Sequence, residues 1–225
     1  MPESIRFFHF VSIEPINKSH LHFHFIFYFK KYQKSNEFIY TKVFKKIMKG
    51  ELIENRVIVW NIEDSRKLFS EGYYGKPIGI PKPKIEEIDA PLVLDLIESL
   101  YLLENKKITI SKSKRKVTVE QMIEICKDEH HDFDKKYLVY KNFRDKGYII
   151  NPGIKFGCDF AVYEKGPGID HAPFLIQVYN RNEPITSTGI VLAGRLATSV
   201  KKQFILAIPK GKDNVDFLAL DWWKA

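Results

Sequence analysis

Residues 147–178, GYIINPGIKFGCDFAVYEKGPGIDHAPFLIQV, and residues 194–208, GRLATSVKKQFILAI, decide the fold of this 225-residue chain. Alternating apolar residues in the first stretch predict strands, and the Gly- and Pro-containing segments 151–153 and 165–168 predict the turns between them. In the second stretch apolar residues recur every four positions, which predicts a helix over 194–202 that leads into an apolar strand. Together the two stretches predict a domain in which a sheet packs against helices.

Three chemically useful side chains lie at the ends of these predicted elements. Tyr163 ends a strand, His171 lies in the following loop and Lys202 ends the helix. Such a set can cleave RNA without a metal, because one group takes the proton of the 2′-hydroxyl, one protonates the departing 5′-oxygen and a cation stabilises the phosphorane. Each residue also has an ordinary interpretation: a half-buried core tyrosine, an exposed loop histidine and a solvated lysine.

The motifs around these residues resemble a known family. KFGCDFAVYEKGPGIDHAPFLI, followed by GRLATSVKKQFILAI, is similar to the catalytic domain of the archaeal and eukaryotic tRNA-splicing endonucleases. The resemblance implies an α/β (α+β) chain with a small N-terminal αβ domain and a C-terminal restriction-endonuclease-like αβ domain. It further implies that Tyr163 abstracts the proton, His171 protonates the leaving group and Lys202 stabilises charge. Lys201 is adjacent, but the family pattern V-x-K favours Lys202.

The same resemblance implies a lyase-type reaction that leaves a 2′,3′-cyclic phosphate and a 5′-hydroxyl and uses no metal or cofactor. Two further residues match the side chains with which the family clamps a bulged nucleotide. Arg195 matches an arginine seven residues before the lysine, and Trp222 falls near the second clamp position, with Trp223 beside it. A base can stack on indole or guanidinium alike, for about 1–3 kcal/mol per base.

A loop rich in glycine and proline, GYYGKPIGIPKPK, spans residues 72–84. On composition alone it is an ordinary surface loop. It resembles an insertion that is typical of catalytic subunits from the crenarchaeal branch of the family. The resemblance implies that the loop reaches the RNA near the active site, so Lys76, Lys82 and Lys84 are all candidate phosphate contacts.

The expected substrate is precursor tRNA with a bulge–helix–bulge motif, which presents two cleavage sites. One chain of this size supplies one active site, so we expect at least two copies, in a heterotetramer (α₂β₂) with a structural subunit of the same family. One alternative is that this chain is itself a non-catalytic structural subunit or RNA-binding module. Another is a metal-dependent nuclease built on Asp159 and Gln177, in which Tyr179 would occupy the place of the usual lysine.

Composition limits the remaining function classes. The formal charge is +8, but residues 1–47 carry 8 Lys+Arg and 3 Asp+Glu, a net of +5, so the rest of the chain is only mildly basic. RNA binding must therefore come from local patches. Two cysteines do not make a disulfide framework and no secretory signal is evident, which predicts a cytoplasmic protein without a membrane span.

Residues 1–47 differ from the remainder, since they hold 9 of the 17 Phe and 4 of the 7 His. At their centre, HLHFHFIFYF would place His20, His22 and His24 on one face of a strand, a pattern that could bind a metal but offers no fourth ligand. The apolar run is far shorter than the about 20 residues of a membrane span. We interpret 1–47 as an N-terminal extension, disordered or a misassigned start, because Met48 is where family members of ordinary length begin.

The sequence predicts an N-terminal αβ domain over 48–113 and a catalytic domain over 114–225. Its predicted elements are a strand over Arg56–Trp60, a helix over Ile62–Gly72 capped by Asn61, a helix over Pro91–Leu103, a strand over Lys107–Ser111, a helix from the capping box at Thr118 to about Lys127, a helix over Phe133–Lys146 and an edge or dimer strand over Phe217–Leu220.

Overall fold

A computed structural model describes residues 7–13, 47–81, 83–169, 171–211 and 213–223 of the chain. The elements of its first half are, in order, β1 (Phe7–Ile13), β2 (Met48–Ile53), β3 (Arg56–Val59), α1 (Ile62–Gly72), β4 (Lys76–Pro77), β5 (Leu92–Leu94), α2 (Leu96–Glu104), β6 (Ile108–Lys112), β7 (Arg115–Lys116) and α3 (Val119–Glu129). Those of its second half are α4 (Phe133–Asp145), β8 (Ile149–Pro152), β9 (Phe160–Tyr163), β10 (Phe174–Val178), α5 (Ser187–Ser199), β11 (Gln203–Lys210) and β12 (Asn214–Trp223). Short 3₁₀ turns occur at Ile85–Glu87 and Ile154–Phe156. The mixed α/β fold class is thereby confirmed.

The strands form two sheets. The first consists of β2 to β7, and the second of β8 to β12 together with β1 from the beginning of the chain. The first has the order β4-β5-β3-β2-β6-β7, with β2 and β6 parallel. The second has the order β1-β12-β11-β10-β9-β8, with β10 and β11 parallel. The parallel pair requires a crossover, and α5 supplies it.

The second sheet is covered on both faces, because alternate residues of its strands enter two different clusters. Ile176 and Ile205 pack with residues of α4 in the main core, which also runs through the first sheet. Leu175 and Phe204 point the other way, into a smaller cluster with α5. A sheet buried on both faces explains why the strand sequences of this region are nearly continuous apolar runs.

The two halves are joined by the buried guanidinium of Arg144 in α4. It donates hydrogen bonds to the carbonyl of Gly72 at the end of α1 (2.7 Å) and to the carbonyl of Ile150 in β8 (3.2 Å). It also lies 3.6 Å from the carboxylate of Glu98 in α2, and the two side chains are only 2% and 5% exposed. Gly72 and Glu98 belong to the first domain and Ile150 to the second. Arg144 therefore fixes the two domains against each other.

Local capping explains the helices that the sequence predicted well. The side chain of Asn61 accepts from the N–H of Asp64 at the start of α1, and Thr118 forms a complete capping box with Gln121 at the start of α3. The predicted helix over Pro91–Leu103 was wrong at its beginning. Residues Leu92–Leu94 form a strand against β3, and Asp95 caps the helix that follows.

Two boundaries in the second half also differ from the prediction. The helix predicted over 194–202 instead spans Ser187–Ser199, and Lys201 adopts a left-handed conformation (φ 52°), so Lys202 follows the helix rather than lying on it. The expected edge strand over Phe217–Leu220 is an interior strand of this chain. β12 pairs with β11 on one side and with β1 on the other, in register from Phe7 opposite Trp223 to Ile13 opposite Phe217.

The histidines His20, His22 and His24, considered above as a possible metal site, lie outside the described residues. Both cysteines are buried free thiols. Among the described residues, no helix has the length and apolarity that crossing a membrane requires.

Candidate active site

A cleft of about 1960 Å³ lies between the two domains, and Tyr163, His171 and Lys202 all line it. The first domain contributes Tyr73 and most of the loop from Gly75 to Lys84. The three side chains singled out from the sequence are therefore brought to one concave surface, although they lie in different elements.

Tyr163 is the last residue of β9, where it pairs with Ile149 of β8. The three residues before it are buried, and its own ring is half-buried and packs against both apolar clusters. The strand therefore fixes the ring and leaves part of it accessible from the cleft.

His171 is exposed and comes at the end of the loop that joins β9 to β10. Ala172, the next residue, is 2% exposed and belongs to the smaller apolar cluster. The histidine thus has an accessible imidazole on a backbone that is anchored immediately beside it.

Lys202 contacts the backbone beside His171 directly. Its Nζ donates a hydrogen bond of 2.6 Å to the carbonyl of Ala172 and lies 5.5 Å from the ring centroid of Phe156. Lys201 is exposed, and it is Lys202 whose ammonium contacts the backbone next to His171. An ammonium over a ring face is attracted to it electrostatically, which further restricts where this charge can lie.

The sequence alone predicts no role for Phe156 or for Lys155, whose Nζ lies 5.9 Å from the same ring centroid. Both residues line the cleft. Both belong to the KFG segment that carries the family resemblance, so the motif can be recognised in the sequence. Its position beside Lys202, which is more than forty residues away, is apparent only in the folded structure.

Asp159, the residue on which the metal-dependent alternative depends, has its carboxylate engaged by neighbouring protein groups. Its carboxylate accepts hydrogen bonds from Gln177 Nε2 (2.7 Å) and from the N–H of Val178 (2.8 Å), and it pairs with Lys136 at 2.9 Å. These contacts tie α4 and β10 to the segment before β9. Within the described ranges, no three His, Cys, Asp or Glu residues cluster as metal ligands would.

Burial changes the acid–base properties of two other groups at the cleft. Desolvation raises the pKa of the Cys158 thiol to about 11, so this cysteine is a neutral thiol near pH 7 rather than a nucleophile. Desolvation also raises the pKa of Glu98 to about 7, against the opposing effect of Arg144.

The structure describes two of the three candidate RNA-binding lysines. Lys76 in β4 and Lys84 are exposed and line the cleft. Lys84 pairs with Glu87 at 3.1 Å. Exposed ion pairs of this kind contribute little to protein stability, so the pairing leaves Lys84 able to bind a phosphate instead. Lys82 lies outside the described residues.

Of the two candidate clamp residues, the structure describes the side chain of only one. Arg195 is exposed on α5 and is not among the cleft residues. The backbone of Trp222 pairs with Phe8, and its side chain lies outside the described part of the chain.

Comparison with known proteins accounts for both domains. Residues 48–123 match the family model described as tRNA intron endonuclease, N-terminal domain, and residues 133–217 match tRNA intron endonuclease, catalytic C-terminal domain. Proteins named tRNA-splicing endonuclease are similar over most of the chain. That of Hyperthermus butylicus is 42% identical over 79% of this chain and 99% of its own length, and that of Sulfurisphaera tokodaii is 41% identical over 79% and 99%. The Pyrobaculum islandicum protein is 44% identical over 79% of this chain and all of its own length. The resemblance inferred from the motifs is thereby confirmed: this chain belongs to the tRNA-splicing endonuclease family.

Proposed function

We propose that this chain cuts intron-containing precursor tRNA at bulge–helix–bulge splice sites, without a metal, and leaves a 2′,3′-cyclic phosphate and a 5′-hydroxyl. The observation that carries the proposal is the convergence of Tyr163, His171 and Lys202 on one cleft. Membership of the endonuclease family supports the substrate class.

In the proposed reaction Tyr163 takes the proton from the 2′-hydroxyl, and the resulting oxygen attacks the adjacent phosphorus. His171 gives its proton to the 5′-oxygen as the bond from phosphorus to that oxygen breaks. Lys202 stabilises the negative charge of the phosphorane. A tyrosine with an ordinary pKa near 10 is a poor base, so the cations of Lys202 and Lys165 would have to favour its ionised form.

The same side chains argue against a purely structural subunit, the main alternative. A subunit that only supports assembly has no need for a hydrogen bond that fixes the backbone next to an exposed histidine. Here the ammonium of Lys202 makes that bond to Ala172 at 2.6 Å. Together with the presence of all three residue types, this contact supports a catalytic role.

RNA contacts follow from the charges around the cleft. Lys76 and Lys84 are exposed at its rim and suit phosphate binding, and Lys82 belongs to the same proposed loop. The proposed clamp for a bulged base consists of Arg195 and Trp222, as the family resemblance implies. Because the substrate presents two cut sites, we propose an α₂β₂ assembly with a structural subunit of the same family.

The experiment is cleavage of an intron-containing precursor tRNA in excess EDTA, by the purified chain alone and co-purified with a structural subunit. We expect cleavage in the chelator with cyclic-phosphate and 5′-hydroxyl ends, and only in the presence of the partner. Cleavage that needs Mg²⁺ and leaves 5′-phosphates would favour the metal-dependent alternative. Full activity of the chain alone would refute the obligate heterotetramer but not the chemistry.

A further inference from the structure

The loop between Tyr163 and His171 passes directly against the first domain. Gly166 in this loop has φ +129°, and a Cβ added to it would lie 2.4 Å from Cε2 and 2.7 Å from Cζ of the Tyr73 ring. Contacts this short are not tolerated, so the loop backbone rests on the edge of that ring without room for a side chain. Gly168, two residues later, has φ +92° but open space around it.

Tyr73 is held firmly on the other side of this contact. It is 7% exposed, and its ring packs edge to face against Phe69 at a centroid distance of 5.1 Å. Its N–H donates to the carbonyl of Phe69 (2.7 Å), which ends α1. The preceding carbonyl, of Gly72, accepts the hydrogen bond from Arg144. The ring therefore packs within the first domain, and the backbone just before it is hydrogen-bonded to the second.

We propose that Tyr73 is a positioning residue for the cleavage reaction, and that the first domain sets the place of His171 by bracing the loop at Gly166. This inference rests on the function proposed above. The loop then has three supports, which are β9 at Tyr163, the Tyr73 ring at Gly166 and the Lys202 ammonium at Ala172. Loss of the middle support leaves both ends attached but lets the histidine shift relative to the 5′-oxygen.

The test compares two alanine substitutions in the same loop. Gly166→Ala adds both backbone strain and the collision with Tyr73, whereas Gly168→Ala adds backbone strain without a collision. We expect Gly166→Ala to lower the single-turnover cleavage rate by about 10²-fold, the scale of a misplacement near 1 Å, with RNA affinity little changed. Gly168→Ala should lower the rate by much less. Equal rates for the two variants would overturn the proposal.

A substrate with a sulfur in place of the scissile 5′-oxygen provides a readout that simple destabilisation would not change. A thiolate leaves without protonation, so a defect caused by a displaced His171 should largely disappear with this substrate. If Gly166→Ala is equally slow with both substrates, the loop does not act through the histidine and the proposal fails.

Tyr73→Leu tests the ring from the other side and decides the matter if Gly166→Ala does not fold. It should slow the oxygen substrate and spare the sulfur substrate, while Tyr73→Phe, which keeps the ring, stays closer to wild type. The double variant Tyr73→Leu/Gly166→Ala should be no slower than its slower parent, because both substitutions disturb the same contact and their effects are therefore not additive. Additive losses would contradict the proposal. A wild-type assembly that does not cleave at all would instead reject the proposed function.

Discussion

Replacement of Arg144 by methionine should destabilise the protein more at pH 7.5 than at pH 5. The substitution preserves most of the side chain's volume but removes the hydrogen bonds to Gly72 and Ile150 and leaves the carboxylate of Glu98 buried without its cation. Removing one partner of a buried pair typically costs about 3–5 kcal/mol of unfolding free energy, because the remaining group stays buried and must either keep an unpaired charge or bind a proton. We expect a loss of that size at pH 7.5.

The pH dependence follows from the pKa of Glu98, which burial raises from its usual 4.5 to about 7. The folded state therefore binds a proton that the unfolded state has released, and the stability that this contributes is full at low pH and declines as the pH rises through 7. Without Arg144 the pKa of Glu98 rises further, since that cation opposes the shift. The carboxyl is then neutral at pH 5 in both the wild type and the variant. At pH 7.5 it is largely ionised in the wild type but still protonated in the variant, so the substitution costs about 1 kcal/mol more at pH 7.5 than at pH 5.

Guanidinium unfolding at the two pH values measures the difference directly. The matched control is Arg144→Met/Glu98→Gln, which removes the charge as well as its partner and should show a loss that does not vary between pH 5 and 7.5. A loss under about 1 kcal/mol at pH 7.5, or the same loss for the single variant at both pH values, would refute the idea that an ion pair joins the domains.

Three other predictions concern the reaction. His171→Ala should lower the single-turnover rate by about 10²–10⁴-fold with RNA affinity retained, as loss of a general acid does, and a sulfur leaving group should restore most of it; weaker binding with normal chemistry would make the histidine a docking residue. Lys76→Ala should weaken RNA binding and reduce the slope of log affinity against log salt by about 1, whereas Lys106→Ala, an exposed lysine outside the cleft, should change neither. Cleavage by the assembled enzyme should continue at an unchanged rate in EDTA, and restoration by added Mg²⁺ of a rate lost in chelator would contradict the metal-free mechanism.

Where local physics determines an element, the sequence was sufficient to predict it. Asn61 and the Thr118 capping box announce α1 and α3, because a side chain near the helix start satisfies otherwise unpaired N–H groups whatever the rest of the chain does. The motif residues Tyr163, His171 and Lys202 were recognisable for a different reason, namely that a family pattern preserves their spacing. The structure brings all three to one cleft; their catalytic roles stay predictions.

Elements that depend on distant partners were predicted less well. Leu92–Leu94 has apolar spacing that also suits a helix, and it is a strand because β3 and β4 lie on either side of it. Similarly, nothing near Lys202 in the sequence marks the carbonyl of Ala172 as its partner, thirty residues away. The contact of Gly166 with Tyr73 joins two domains, so no local pattern could have announced it.

The hydrogen bond from Lys202 to Ala172 gives one ammonium group a structural task in addition to its proposed catalytic one. Acylation of this amine would disturb its contact with the backbone beside the histidine at the same moment that it removes the charge proposed to stabilise the phosphorane. Inactivation by such treatment would therefore overstate the electrostatic share of catalysis. Lys202→Arg, which keeps the charge but alters the reach and geometry of the donor, separates the two contributions.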